Sequence, residues 1–203
     1  MKYSKVSNNS AAATMKNLLL MAFAILTIGC GEQNPDGDKS THVNQMRFVK
    51  GTFYLKNSDN PYTGKIIDSF KNGGKKIEFN IKNGKPHGLS TQWYENGKMQ
   101  AKVNNRDGKH DGLTERWYEN GQKAEESTYK AGELDGPGVS WHENGQKEME
   151  GKWKNGQQEG LLTAWHENGL KQMEAMFKEG ELISEKYWNS KGEEVDSLEE
   201  AEQ

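Results

Sequence analysis

The chain has 203 residues, a formal net charge of −3, 32% hydrophobic residues, 23 glycines and one cysteine. The apolar fraction is far below the ~45–50% of an ordinary globular domain, which excludes a thick two-layer core. One cysteine excludes a disulfide framework and a multi-cysteine zinc site, and the near-neutral charge excludes a strongly basic nucleic-acid binder.

Residues 1–29 hold Lys2, Lys5 and Lys16, no acid, and an apolar run from Leu18 to Ile28. A basic start before a short apolar segment reads as a secretory signal peptide. The run is shorter than the ~20 residues a transmembrane helix needs. Met15 offers a second start. The segment Leu26-Thr27-Ile28-Gly29-Cys30 resembles the end of a bacterial lipoprotein signal, with a small residue before the cysteine; Thr27 departs from the leucine preferred at its position. The resemblance implies removal of 1–29 and lipid attachment at Cys30. The product it implies is an exported, membrane-anchored lipoprotein of a bacterial cell envelope. Losing three lysines takes the formal charge from −3 to −6. An acidic body has no electrostatic reason to lie flat on anionic lipid, so the acyl chains are its expected membrane attachment. Residues 30–45 are polar and turn-rich, and are expected to form a flexible tether.

From 46 to 192 the chain is a repeat. Asn-Gly stands at Asn72-Gly73, Asn96-Gly97, Asn120-Gly121, Asn144-Gly145 and Asn168-Gly169, every 24 residues. Two more glycine series share the period: Gly84, Gly108, Gly132, Gly156, Gly180, and Gly64, Gly88, Gly112, Gly136, Gly160. So do Trp93, Trp117, Trp141 and Trp165, and the basic series Lys82, Arg106, Lys130, Lys154 and Lys178. In each unit two alternating runs flank a glycine loop, the signature of a β-hairpin. A three-residue Glu95-Asn96-Gly97 loop with Gly97 left-handed pairs Tyr94 with Lys98. Carried along the hairpin, that register places Leu89, Thr91 and Trp93 on one face with Met99, Ala101 and Val103. The second glycine series is expected to mark longer turns between hairpins, and no helix is expected between Gly51 and Gly192.

The unit Gly-x4-Trp-Tyr/His-Glu-Asn-Gly-Gln/Lys-x-x-Glu, followed by Lys-x-Gly-x-x-x-Gly, resembles the bacterial variant of the MORN repeat. The resemblance implies an all-β fold, an elongated single-layer twisted antiparallel sheet of 24-residue β-hairpin repeats, with a partial unit capping it around Tyr54–Gly64. Proteins of that variant family carry a YwqK-type antitoxin label, and eukaryotic relatives associate with proteins or phospholipids. Ser69 replaces tryptophan in the first unit, Ser184 replaces a glycine in the last, and Trp188–Gly192 reads as a distorted half-unit. The acidic tail 193–203 is either an ordered cap or a frayed end.

The 24-residue lattice fixes how far apart candidate site residues stand. His142 and His166 are column mates ~9.6 Å apart, too far to share a zinc with bonds of ~2.1 Å. These two, His87 and His110 are expected to be solvated turn residues. Glu95, Glu119, Glu143 and Glu167 form one carboxylate column, and Glu78, Glu126, Glu150 and Glu174 another. Acid–base catalysis needs carboxylates in different environments, which identical columns do not provide. No catalysis, metal or cofactor is expected. The tryptophan column has two readings: bulk that plugs a thin sheet, or an aromatic stripe that binds a partner. The Asn-Gly glycines are read as structural. The functional expectation is a monomeric, lipid-anchored scaffold for an unidentified protein partner, without nucleic acid. Alternatives are an antitoxin with a cognate toxin, and a module for envelope glycan or phospholipid.

Overall fold

The structure is a computed structural model that describes residues 40–202. The expected signal peptide, Cys30 and residues 31–39 of the tether lie outside the described residues. Among the described residues regular structure starts with Ser40, six residues before the expected start of the repeat domain. Strand β1 spans Ser40–His42, and a 3-10 turn (Val43–Gln45) leads into a hairpin of β2 (Met46–Val49) and β3 (Thr52–Leu55). Then come β4 (Gly64–Ser69) and β5 (Lys75–Lys82), β6 (Lys85–Trp93) and β7 (Met99–Arg106), and β8 (Lys109–Trp117) and β9 (Lys123–Lys130). They are followed by β10 (Glu133–Trp141), β11 (Lys147–Lys154), β12 (Gln157–Gln158), β13 (Gly160–Trp165), β14 (Lys171–Lys178), β15 (Glu181–Trp188) and β16 (Glu194–Val195).

Strands β4 to β16 form a sheet in sequence order, antiparallel throughout, with β12 beside β11 and β1 parallel on the outer edge of β4. The β2–β3 hairpin is a separate two-stranded sheet. It caps the first unit: Met46, Phe53 and Leu55 pack with Tyr62, Ile66, Phe79 and Ile81. The all-β, single-layer antiparallel repeat expected from the sequence is the observed architecture.

Each hairpin closes as expected at its tip. The Tyr94 N–H donates to the Lys98 carbonyl, and Gly97 N–H to the Tyr94 carbonyl, with Gly97 at φ 81°. One residue further in, the expected register fails. Trp93 pairs with Met99, but Gln92 pairs with Ala101, leaving Gln100 as an extra residue. The same bulge recurs in every hairpin from β4–β5 to β13–β14. Ala101 and Val103 therefore share a face with Ser90 and Gln92, while Trp93 shares the other face with Lys102. Alternation alone cannot reveal this, because one inserted residue exchanges the faces of everything beyond it.

The turns between hairpins are also tighter than expected. Lys82 pairs directly with Lys85, and Asn83 and Gly84 both have positive φ, a two-residue type I′ turn. The column holds Asp107, Ala131, Asn155 and Glu179 in the same left-handed conformation. The third glycine series, including Gly88 and Gly112, lies where the register shifts by two residues after that turn.

One row of small or branched side chains runs across the sheet through facing pairs: Ile66, Phe79, Ser90, Val103, Thr114, Ser127 and Gly138, then Gly151 beside Leu162 and Ala175. Most of this row is buried, and Thr114 is 1% exposed. Among the described residues no second layer covers the middle of the row. A bulge recurs in each of these hairpins, a feature that bends the strand locally and increases its twist. Gly138 and Gly151 leave the space that the Trp153 ring fills; a Cβ on Gly138 would lie 2.7 Å from that ring. The tail is an ordered cap: β16 pairs with Tyr187 and Trp188, and a helix (Leu198–Ala201) starts at Ser197, whose hydroxyl accepts from Glu200 N–H.

Units are tied by the Asn-Gly loops. Each asparagine Oδ1 accepts the N–H two residues on, as Asn144 does from Gln146 at 2.9 Å, while its Nδ2 donates to a carbonyl of the next loop, that of Glu167 at 2.6 Å. Asn72, Asn96, Asn120 and Asn168 repeat both bonds. On the opposite rim Gly84, Gly108, Gly132, Gly156 and Gly180 each donate an N–H to a carbonyl of the preceding unit.

Two substitutions check this account in urea unfolding. Asn144→Asp keeps the acceptor and loses the donor to Glu167, and is expected to cost about 1 kcal/mol. Ala131→Asn places a residue tolerant of positive φ in a left-handed position and is expected to stabilise by roughly 0.5–1 kcal/mol.

Candidate functional site

The tryptophan column sits on the face opposite the buried row, and all its members are half-buried. Its neighbours are cations. Lys75 Nζ lies 5.4 Å from the ring centre of Trp93, Lys147 5.7 Å from Trp165, and Lys171 5.0 Å from Trp188. Lys123 lies 5.9 Å from both Trp117 and Trp141. Each of these lysines opens the second strand of a hairpin and leans over the ring of the next unit; Lys123 also reaches the ring of its own. Met99 takes that place in the second hairpin, and Lys102 approaches Trp117 instead, at 6.0 Å. The ring faces are thus met by ammonium groups of the chain itself, a cation–π stack.

The carboxylate column Glu78, Glu126, Glu150 and Glu174 completes the stack, each acid pairing with the lysine three residues before it. Lys65 holds the Glu78 carboxyl below the usual carboxylate range by a hydrogen bond, against the opposing effect of burial. Hydrogen bonds to Glu126 and Glu115 hold the Lys123 ammonium above the usual lysine range. These acids serve as counter-ions. Glu95, Glu119, Glu143 and Glu167 stand exposed in the loops, where their backbone carbonyls receive the asparagine bonds.

Trp188 is the member that sequence reading missed. It falls 23 rather than 24 residues after Trp165, because one residue is absent where Ser184 replaces the glycine. Strand β15 shifts its register by one residue there instead of two, which returns Trp188 to the column beside Lys171. The signal was present: Trp188 precedes Gly192 by four residues, as Trp165 precedes Gly169.

The histidines are more integrated than solvated turn residues. His142 and His166 occupy the column of Tyr94 and Tyr118. Those tyrosine hydroxyls donate to the carbonyls of Trp117 and Trp141 at 2.8 and 2.6 Å. His142 and His166 place Nε2 at 2.9 and 2.8 Å from the carbonyls of Trp165 and Trp188, so Nε2 carries the proton. His110 meets Tyr129 edge-on at 5.2 Å, and burial, then Arg116, lowers its pKa. His87 lies 3.3 Å from the Asp107 carboxylate. Among the described residues no group of three or more His, Cys, Asp or Glu side chains is placed to hold a metal.

On the face of the buried row the columns stop repeating. Asp68, Gln92, Arg116, Ser140 and Ala164 share one column, and Ile77, Ala101, Glu125, Met149 and Met173 the adjacent one. At its centre Arg116 Nε stands 3.3 Å from Glu125, and burial, then the Glu125 charge, pushes the Tyr129 phenol up to about 12. The lattice that makes the fold lies in the repeated face and the loops; the individuality of the chain lies here.

Replacing Trp141 by alanine removes a half-buried indole and the ring under Lys123. The expected cost is about 2–3 kcal/mol, below that of a fully buried tryptophan, with the β-sheet circular dichroism retained below the lowered transition.

No curated protein matches the chain. Residues 86–104, 111–131 and 134–155, which hold the three hairpins from β6 to β11, match the family model described as MORN repeat variant.

Proposed function

We propose that this chain is a tethered, non-covalent scaffold: exported, lipidated at Cys30, and presenting its repeat sheet to a protein partner at a bacterial cell envelope. MORN repeats mediate protein or membrane interactions, and non-covalent binding is the corresponding role here. One observation carries the reading. On the face with the tryptophan column, Leu89, Leu113 and Leu161 form a second column, four residues before the indoles along each strand, and remain 42%, 39% and 49% exposed. The lattice does not need them, since Pro137 fills the same column position. Regularly spaced exposed apolar side chains on a face that also carries aromatic bulk suit a partner's apolar surface.

Growth with a clickable fatty acid tests the anchor: the wild-type chain is expected to carry label in the membrane fraction, and Cys30→Ala to carry none. Recovery of unlabelled wild-type chain in the cytosol would overturn the reading and favour the antitoxin alternative. For the surface, Leu113→Glu with Leu161→Glu is expected to abolish crosslinks that the wild-type chain forms on membranes. Unchanged crosslinks would place the partner elsewhere.

A further inference from the structure

Seven asparagines are followed directly by glycine: the five of the hairpin loops, and Asn83 and Asn155 in the turns between hairpins. Glycine has no side chain to shield its amide nitrogen, so in this dipeptide that nitrogen readily reaches the carboxamide carbon before it. The fold treats the seven unequally. In the hairpin loops both ends of the carboxamide are engaged. Asn144 Oδ1 accepts from Gln146 N–H at 2.9 Å, and its Nδ2 donates to the Glu167 carbonyl at 2.6 Å. Asn72, with the longest Nδ2 bond of the series at 3.4 Å, still accepts from Gly74 N–H at 2.8 Å. Asn83 is held through its glycine. Gly84 is buried; its N–H donates to the Tyr62 carbonyl at 2.7 Å, its carbonyl accepts from Phe53 N–H at 2.8 Å, and Thr52 packs against it.

Asn155 has neither restraint. Asn155 and Gly156 are both exposed, at φ 49° and 76°, in the two-residue turn closed by the pairing of Lys154 with Gln157. The Asn155 carboxamide makes no hydrogen bond among the described residues, and its backbone N–H reaches Asp135 Oδ2 at 3.4 Å. A Cβ on Gly156 would meet nothing nearer than Glu133, at 3.8 Å. What holds Gly156 is its N–H bond to the Leu134 carbonyl at 2.8 Å, the link between two units.

We infer that Asn155 is the chain's site of spontaneous modification, losing ammonia through a cyclic imide with Gly156. When the turn opens locally, the Gly156 nitrogen leaves the Leu134 carbonyl, gives its proton to solvent and attacks Asn155 Cγ. The new C–N bond forms as the Cγ–Nδ2 bond breaks, and Nδ2 departs as ammonia. Water then adds to one of the two imide carbonyls, giving aspartate or isoaspartate at position 155; nothing is oxidised or reduced. At the other six sites the same closure must first break the bonds of a clamped carboxamide or unpack a buried glycine. The two products differ in consequence. Asp107 occupies the equivalent turn position at φ 51°, so aspartate fits there. Isoaspartate adds a methylene to the main chain, which a two-residue turn absorbs only by releasing the bond from Gly156 to Leu134.

The test incubates the full chain at mildly alkaline pH, folded and in parallel in unfolding urea. Mass spectrometry follows the conversion of amide to acid in each Asn-Gly peptide. In the folded chain Asn155 is expected to convert about tenfold faster than Asn144, which must give up two side-chain hydrogen bonds, and to lead the other five. In urea all seven are expected to convert at similar rates. Ala131→Asn sets the same dipeptide in the exposed turn of the preceding unit and is expected to add a second fast site. Asn155→Asp is expected to keep the wild-type melting temperature, and the isoaspartate-containing fraction to melt lower. Any other asparagine leading in the folded chain, the same order folded as in urea, or no conversion at position 131 of the variant overturns the inference. Equal melting of the two products overturns the loosening assigned to isoaspartate.

Discussion

A sheet without a second layer has no enclosed core to hold its parts in register, so this fold depends on bonds that pass from each unit to the next. The asparagine of each hairpin loop carries that constraint. One carboxamide closes its own turn with Oδ1 and grips the following loop with Nδ2. On the other rim the turn glycines do the equivalent with backbone N–H groups. Between the rims, tyrosine or histidine donates to the next unit's tryptophan carbonyl. These bonds span 22 or 23 residues, so the period of the sequence is the period of the hydrogen-bond lattice.

The two faces divide the remaining work. One carries repeated side chains: tryptophan rings, lysines against them and glutamates against the lysines. An ammonium near an indole and paired with a carboxylate keeps its charge neutralised without leaving water, so a thin sheet gains bulk without needing dry burial. The other face carries the buried row of small and branched residues, with the facing pair Gly138 and Gly151 making room for the Trp153 ring. Its columns vary from hydrophobic at the capped end to polar around Arg116 and Glu125 and hydrophobic again around Leu162 and Ala175. Repetition is needed where units grip one another. It is not needed where each unit meets only its own neighbours' side chains.

Function follows the same division. The repeated elements explain stability and leave exposed what they do not use: a leucine series on the face of the indoles, and Phe48 and Val49 at the tip of the cap hairpin. Both stand on strands of the described residues. Residues 40–90 carry nine lysines and arginines against three acids, and residues 91–203 carry 14 against 24, a polarity that net charge hides.

The period, the hairpins, the left-handed loop glycines and the all-β single layer were legible in the sequence, because each is a local or strictly repeated demand on residue type. The assignment of faces was not. A single bulged residue in each hairpin reverses alternation beyond it, and whether Gln100 is inserted or paired depends on the strand opposite. Trp188 escaped because a one-residue deletion at Ser184 breaks the count while register shift restores the column. The cap was read as a partial unit, yet its contact with Ile66 and Ile81 and its exposed tip arise only once β2 and β3 fold over the sheet. Sequence determines this protein's period and turn chemistry, which are set by φ and by spacing along the chain. Tertiary structure decides which side chains share a face and which charges meet, because those depend on register between strands that are neighbours in space.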